Sequence, residues 1–149
     1  MPASELSHTP FLLMKAARIL RNALEKALAE SGITAPQFSL LKQIEQDDGR
    51  MTAARAADIL QIDRPTVSAV LRRLEDKGMV ARTALPTDRR AELLSLTESG
   101  RAAVVAATHV TDRLAQEMAA LCADEQNQAF SRHLEAIIAF GAQKTGVGI

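Results

Sequence analysis

The stretch from Thr52 to Thr97 constrains the chain more than any other. It predicts a short helix over 53–60, a tight turn at Gln61-Ile62, and a second helix capped by Asp63. Val67, Val70, Leu71 and Leu74 stand at i, i+3, i+4 and i+7, so the second helix carries one apolar stripe. Arg64 and Pro65 open that helix, and Thr66, Ser68, Arg72 and Arg73 fall largely on its other faces. Gly78 follows Lys77 as a helix stop, because a left-handed cap is open to glycine at little cost. Met79–Ala84 and Ala91–Leu96 then read as two strands flanking Pro86-Thr87-Asp88-Arg89-Arg90. Two helices about a tight turn, followed by a ribbon with a basic tip, make a winged helix-turn-helix. Its polar side chains suit the phosphates and base edges of duplex DNA.

A chain of 149 residues makes one compact domain, or two small subdomains sharing a core. Alanine and leucine are abundant and there are only four Phe, with no Trp or Tyr, which favours helix. No stretch approaches the roughly 20 apolar residues that span a bilayer, and Met1-Pro2-Ala3-Ser4-Glu5 lacks the basic and apolar regions of a secretory signal. One cysteine cannot form an intrachain disulfide framework, so a cytoplasmic protein with no membrane partner is expected. Net charge is zero, but residues 52–97 hold eight basic against six acidic side chains, while residues 98–149 hold four against six. The basic side chains cluster as Arg64, Arg72, Arg73, Lys77, Arg82, Arg89 and Arg90, which points to modest non-specific DNA affinity rather than a DNA-coating role.

Long helices flank the winged unit. Thr9-Pro10 reads as the capped start of the first, which Ser31-Gly32 ends. Thr34 and Gln37 have capping-box spacing, with Phe38, Leu41 and Ile44 on the buried side of the next helix. Thr97 caps a helix through Val104 and Leu114 to Leu121, and a last helix carries Phe130, Leu134, Ile137 and Ile138 before a frayed tail from Gly141. The expected fold is mainly α with a small β-wing. Residues 1–33 form an N-terminal dimerisation helix, 34–98 the winged DNA-binding domain and 99–149 the C-terminal dimerisation helices. Apolar stripes this long at both ends exceed what a 46-residue winged unit covers, so a twofold homodimer is expected, with two recognition helices about 34–36 Å apart.

These residues resemble the MarR family of bacterial transcriptional regulators over essentially the whole chain. Three pieces carry the resemblance: Asp63-Arg64-Pro65-Thr66-Val67-Ser68 with the exit Leu74-Glu75-Asp76-Lys77-Gly78-Met79-Val80; the wing signature Asp88-Arg89-Arg90 ahead of Leu96-Thr97; and Leu96-Thr97-Glu98-Ser99-Gly100-Arg101. The resemblance implies a homodimer on a palindromic operator, with repression relieved by a small phenolic or anionic ligand. No cofactor is expected. Arg55-Ala56-Ala57-Asp58 and Ala69 depart from the family pattern, so the operator of better-known relatives does not carry over.

Individual residues keep two readings. Arg64, Thr66 and Ser68 either touch phosphate and base edges or cap and solvate the helix start. Arg72 or Arg73 either reaches DNA or pairs with Glu75 or Asp76. Arg90 is a candidate minor-groove finger held by Asp88, or both simply keep the ribbon soluble. Cys122 has Asp124 and Glu125 beside it, which oppose the thiolate a redox sensor needs. The three histidines show no metal-ligand spacing; His109 either faces an interior and lines a ligand pocket or, the favoured reading, is a satisfied helix-surface histidine. Enzyme signatures such as G-x-S-x-G and H-E-x-x-H are absent. The competing reading is a winged helix that binds a protein partner and no DNA.

Overall fold

The computed structural model describes residues 8–47, 49–85 and 88–145, without the side chains of residues 85, 88–91 and 145. The elements run α1 (Thr9–Leu28), α2 (Ala35–Gln46), α3 (Ala53–Leu60), α4 (Arg64–Asp76), β1 (Val80–Leu85), β2 (Asp88–Leu96), α5 (Glu98–Ala119) and α6 (Asp124–Thr145), with a 3-10 turn over Ala29–Ser31. The fold is mainly helical with one small antiparallel ribbon. Two compact units divide the chain, Met1–Thr111 and Asp112–Ile149.

In the first unit, polar caps at fixed spacing set the helix starts. Thr34 and Gln37 form a reciprocal capping box, with Gln37 N donating to Thr34 Oγ1 and Thr34 N donating to Gln37 Oε1. Thr52 Oγ1 accepts from Arg55 N, Asp63 Oδ1 from Thr66 N, and Thr97 Oγ1 from Gly100 N. At α1 the expected cap differs. His8 occupies the cap position with no side-chain hydrogen bond, and Thr9 is already helical ahead of Pro10. Gly78 has φ of 65°. Its N–H reaches Glu75 O and that of Met79 reaches Leu74 O, a Schellman closure of α4.

The core forms where the faces of α2, α3, α4 and the start of α5 meet. Leu40, Leu41, Ile44, Met51, Val67, Leu71, Leu74, Leu94 and Val104 are buried. Leu40 joins this core while Phe38 is only partly covered. The ribbon pairs Val80 with Leu96 and Arg82 with Leu94, with an irregularity between Ala84 and Leu85. Leu94 N also donates to Met51 O, so the segment entering α3 lies along β2. The base of the wing is fastened to α5: Thr97 N donates to Met79 O, and Thr97 Oγ1 donates to Gly78 O at 2.6 Å.

Asp47, 8% exposed, closes α2 and accepts a two-pronged bond from Arg55 of α3, at 2.7 Å from Nε and 2.8 Å from Nη2. The Arg55 hydrogen bonds hold its carboxyl below the usual value of 3.8, against the opposing effect of burial. A carboxyl whose folded pKa is lowered stabilises the fold above its unfolded pKa. That contribution fades as pH falls toward and through the lower folded value. Acid unfolding followed by circular dichroism should therefore lose part of its dependence below about pH 4 in Asp47→Asn. An acid limb unchanged from wild type would show that this pair does not couple folding to protons.

In the second unit, Asn127 Nδ2 donates to Ala119 O and Cys122 O, closing the turn into α6. α6 continues through Gly141 to Thr145, where the sequence suggests a frayed tail. A lone glycine lowers helix stability by only about 1 kcal/mol and does not by itself end a helix. Among the described residues no helix is long and apolar enough to cross a membrane.

Candidate nucleic-acid interface

The α4 stripe is buried at Val67, Leu71 and Leu74 and half-buried at Val70, and this fixes which side faces outward. Arg64, Pro65, Thr66, Ser68, Arg72 and Arg73 are all exposed. Arg64, Arg72 and Arg73 make no hydrogen bond or ion pair among the described residues. The alternative pairing of Arg72 or Arg73 with Glu75 is not observed, because Glu75 is held by Arg82. Asp88 and Arg89-Arg90 lie in β2, and their side chains are outside the described residues, as is the Pro86-Thr87 tip.

Two cations of the sequence cluster are tied inward instead. Arg82 of β1 forks across two carboxylates: Nε and Nη2 donate to Glu75 of α4, and Nη1 donates to Glu92 of β2 at 3.0 Å. The Glu75 hydrogen bond, then that of Glu92, raises the Arg82 pKa despite partial burial. This clamp joins the last turn of α4 to both strands of the wing. Lys77 Nζ donates to Gly32 O at 2.6 Å and to Gln37 Oε1 at 3.1 Å, tying the end of α4 to the junction before α2. Residue spacing carries no signal for either contact, because the Lys77 partners lie 45 and 40 positions away. The Arg55–Asp47 fork likewise leaves no mark in residue spacing, because it joins two helices across a turn.

Between the wing base, α4 and the first turn of α3 lies a hollow of about 320 Å³, lined by Thr52, Ala53, Ala54, Arg64, Ser68, Arg82 and Glu92. A second cavity of about 360 Å³ is lined by Arg21 and Glu25 of α1, Ala35, Pro36 and Ser39 of α2, and Leu60 and Ile62 at the helix-turn-helix turn. From the family resemblance, a ligand cleft is expected between the winged lobe and the long helices, lined from the first, second and fifth helices. This cavity takes the first two and the turn, with no α5 residue. His109 is exposed, which fits the helix-surface reading, and Cys122 is an exposed free thiol ahead of α6. No group of three or more His, Cys, Asp or Glu among the described residues is placed to hold a metal ion.

The MarR family profile matches residues 31–91, which hold the helix-turn-helix and most of the wing. The HTH-type transcriptional regulator YdcH of Bacillus subtilis is 36% identical over 120 residues, covering 78% of this chain and 82% of YdcH. The chain belongs to the MarR family. Its fold and its relatives are those of DNA-binding transcriptional regulators, not of an enzyme. The HTH-type transcriptional repressor Mb2911 of Mycobacterium bovis is 32% identical over 125 residues, covering 84% of this MarR-family chain and 89% of the repressor. The repressor CouR bound to a 23-mer DNA duplex superposes with a TM-score of 0.83 at 28% identity, covering 93% of this chain and 98% of CouR. CouR of Rhodococcus jostii bound to p-coumaroyl-CoA superposes with a TM-score of 0.76 at 25% identity, covering 87% and 90%.

Proposed function

We propose that this MarR-family regulator is a homodimeric repressor. It binds a palindromic operator in the cytoplasm through α4 and the wing and is released by a small phenolic or other anionic effector. One observation carries the DNA reading: on the outward face of α4 the cations Arg64, Arg72 and Arg73 have no partner among the described residues, while Lys77 is hydrogen-bonded back to two uncharged oxygens and Arg82 is paired with Glu75 and Glu92. Side chains held in this way and aimed outward suit phosphate contacts, with Thr66 and Ser68 between them for base edges. On the wing, Arg90 takes the minor groove with Asp88 orienting it, and Arg89 adds positive charge. CouR on its duplex and the name of Mb2911 support operator binding and repression.

The homodimer rests on uncovered apolar surface in each unit. Phe11 is 71% exposed and Met14 69% in the first unit, and Leu121 is 79% and Ile138 61% in the second. A monomer leaves these large side chains in water, and a second copy covers them. The effector reading rests on the α1–α2 cavity, where Arg21 stands beside apolar Pro36, Leu60 and Ile62. A charged rim on an apolar wall suits an aromatic acid, and CouR binds a thioester of one.

Binding isotherms with duplex from the chain's own promoter region, at several salt concentrations, test this reading. A sequence-specific complex should form with a protein that sediments as a dimer, and an aromatic acid effector should weaken it. Arg72→Ala should lower the slope of log K against log salt by about 2 per dimer, one phosphate contact per subunit. A protein that binds operator and random duplex equally, or not at all, would falsify the regulator reading.

A further inference from the structure

Thr66 stands at the exposed start of α4, and its one hydroxyl proton is already committed. Thr66 Oγ1 donates to Asp63 Oδ2 at 2.7 Å, while Thr66 N donates to Asp63 Oδ1 at 2.9 Å. A hydroxyl has a single proton and two acceptor lone pairs, so only lone pairs remain to face outward. Asp63 has no proton to offer either. The two Thr66 hydrogen bonds hold its carboxyl below the usual aspartate value, and an ionised carboxylate only accepts. Swinging the hydroxyl toward another acceptor would break a charge-assisted bond, the stronger kind. Ser68, two residues further along, has no hydrogen bond among the described residues, so its hydroxyl can turn either way.

We propose that Thr66 is a specificity-determining residue: its hydroxyl, held as a donor to Asp63, shows the major groove only an acceptor. It therefore selects an exocyclic amino group, the N4 of cytosine or the N6 of adenine. This rests on the operator-binding reading above and deepens it. In the major groove cytosine N4 and adenine N6 are donors, whereas guanine O6 and N7 and thymine O4 are acceptors. Phosphate oxygens are acceptors too, so the tip formed by Asp63 and Thr66 meets the backbone poorly. Arg64 beside it carries the charge that draws this end of α4 to DNA. Thr66 is thereby separated from the phosphate contacts with which its sequence position groups it.

Selection of bound duplexes from a randomised pool, with the full-length protein and three variants, tests the proposal. The wild type should enrich cytosine or adenine at one position in each half-site. Thr66→Val keeps the shape and removes the hydroxyl; it should lose roughly tenfold discrimination at that position alone. Thr66→Ser should keep it. Asp63→Asn remains a good helix cap but places an amide donor where Oδ2 stood. The hydroxyl then accepts from Asn and points its own proton outward, so the preference should turn toward guanine or thymine. Asp63→Asn also removes a negative charge and strengthens binding to every sequence alike, so the readout is the ratio among bases at that one position. Circular dichroism confirms that each variant keeps its helices, and Thr66→Ala replaces valine if the first turn of α4 is disturbed. A Thr66→Val or Thr66→Ala protein with wild-type preferences at every position would overturn the proposal. So would an Asp63→Asn protein altered in affinity alone. A wild type that enriches no sequence would instead overturn the operator-binding reading itself.

Discussion

Gly100→Ala should destabilise the winged unit by about 3 kcal/mol, the upper end of the usual range for overpacking. Gly100 is buried in the first turn of α5, and a Cβ there would sit 2.1 Å from the carbonyl oxygen of Met79 and 3.0 Å from its carbon. The obstructing atoms are backbone, so no side chain can rotate away. Moving the Met79 carbonyl would also strain the Thr97 N–H bond that it accepts and the neighbouring Thr97 Oγ1 bond to Gly78 O. Alanine is a better helix former than glycine by about 1 kcal/mol, which offsets only part of this. Urea unfolding of the full chain measures the net effect. Because α4 ends in the same Gly78–Met79 segment, operator affinity should fall with stability. A Gly100→Ala protein as stable as wild type would mean that α5 is not seated on the wing base.

Arg82→Ala should weaken operator binding about tenfold while leaving the salt slope where it was, since no phosphate contact is lost. Removing Arg82 leaves Glu75 and Glu92 without the guanidinium that holds both. Glu92 then stands without its cation in the hollow that Arg64 and Ser68 line, close to where phosphate is expected. The wing also loses its tie to α4, so Arg89 and Arg90 dock with more freedom to lose. The clamp is half open to water, with Glu92 48% exposed, so its share of fold stability is small, about 1 kcal/mol. The contrast with Arg72→Ala is therefore in the slope and not only in the affinity. Arg82→Lys should recover part of the loss, because an ammonium keeps the charge but cannot fork to two carboxylates. A salt slope that drops by about 2 in Arg82→Ala would instead make Arg82 itself a phosphate contact.

The sequence by itself determined whatever depends on neighbours within one or two helical turns. Thr34, Thr52, Asp63 and Thr97 each cap the helix that follows, because a side-chain oxygen reaches an amide three residues on. Val67, Leu71 and Leu74 point inward because 3.6 residues make a turn, and the outward face of α4 follows from them. Gly78 ends α4 because its φ of 65° suits glycine. Tertiary structure alone decided which charges remain available. Seven basic residues in one stretch look alike in sequence, yet Lys77 reaches back to Gly32 and Arg82 closes on Glu75 and Glu92. The same holds for Gly100, whose need for a bare Cα arises only where α5 meets the Met79 carbonyl. Long side chains choose partners by distance through space, and no periodicity along the chain records that distance.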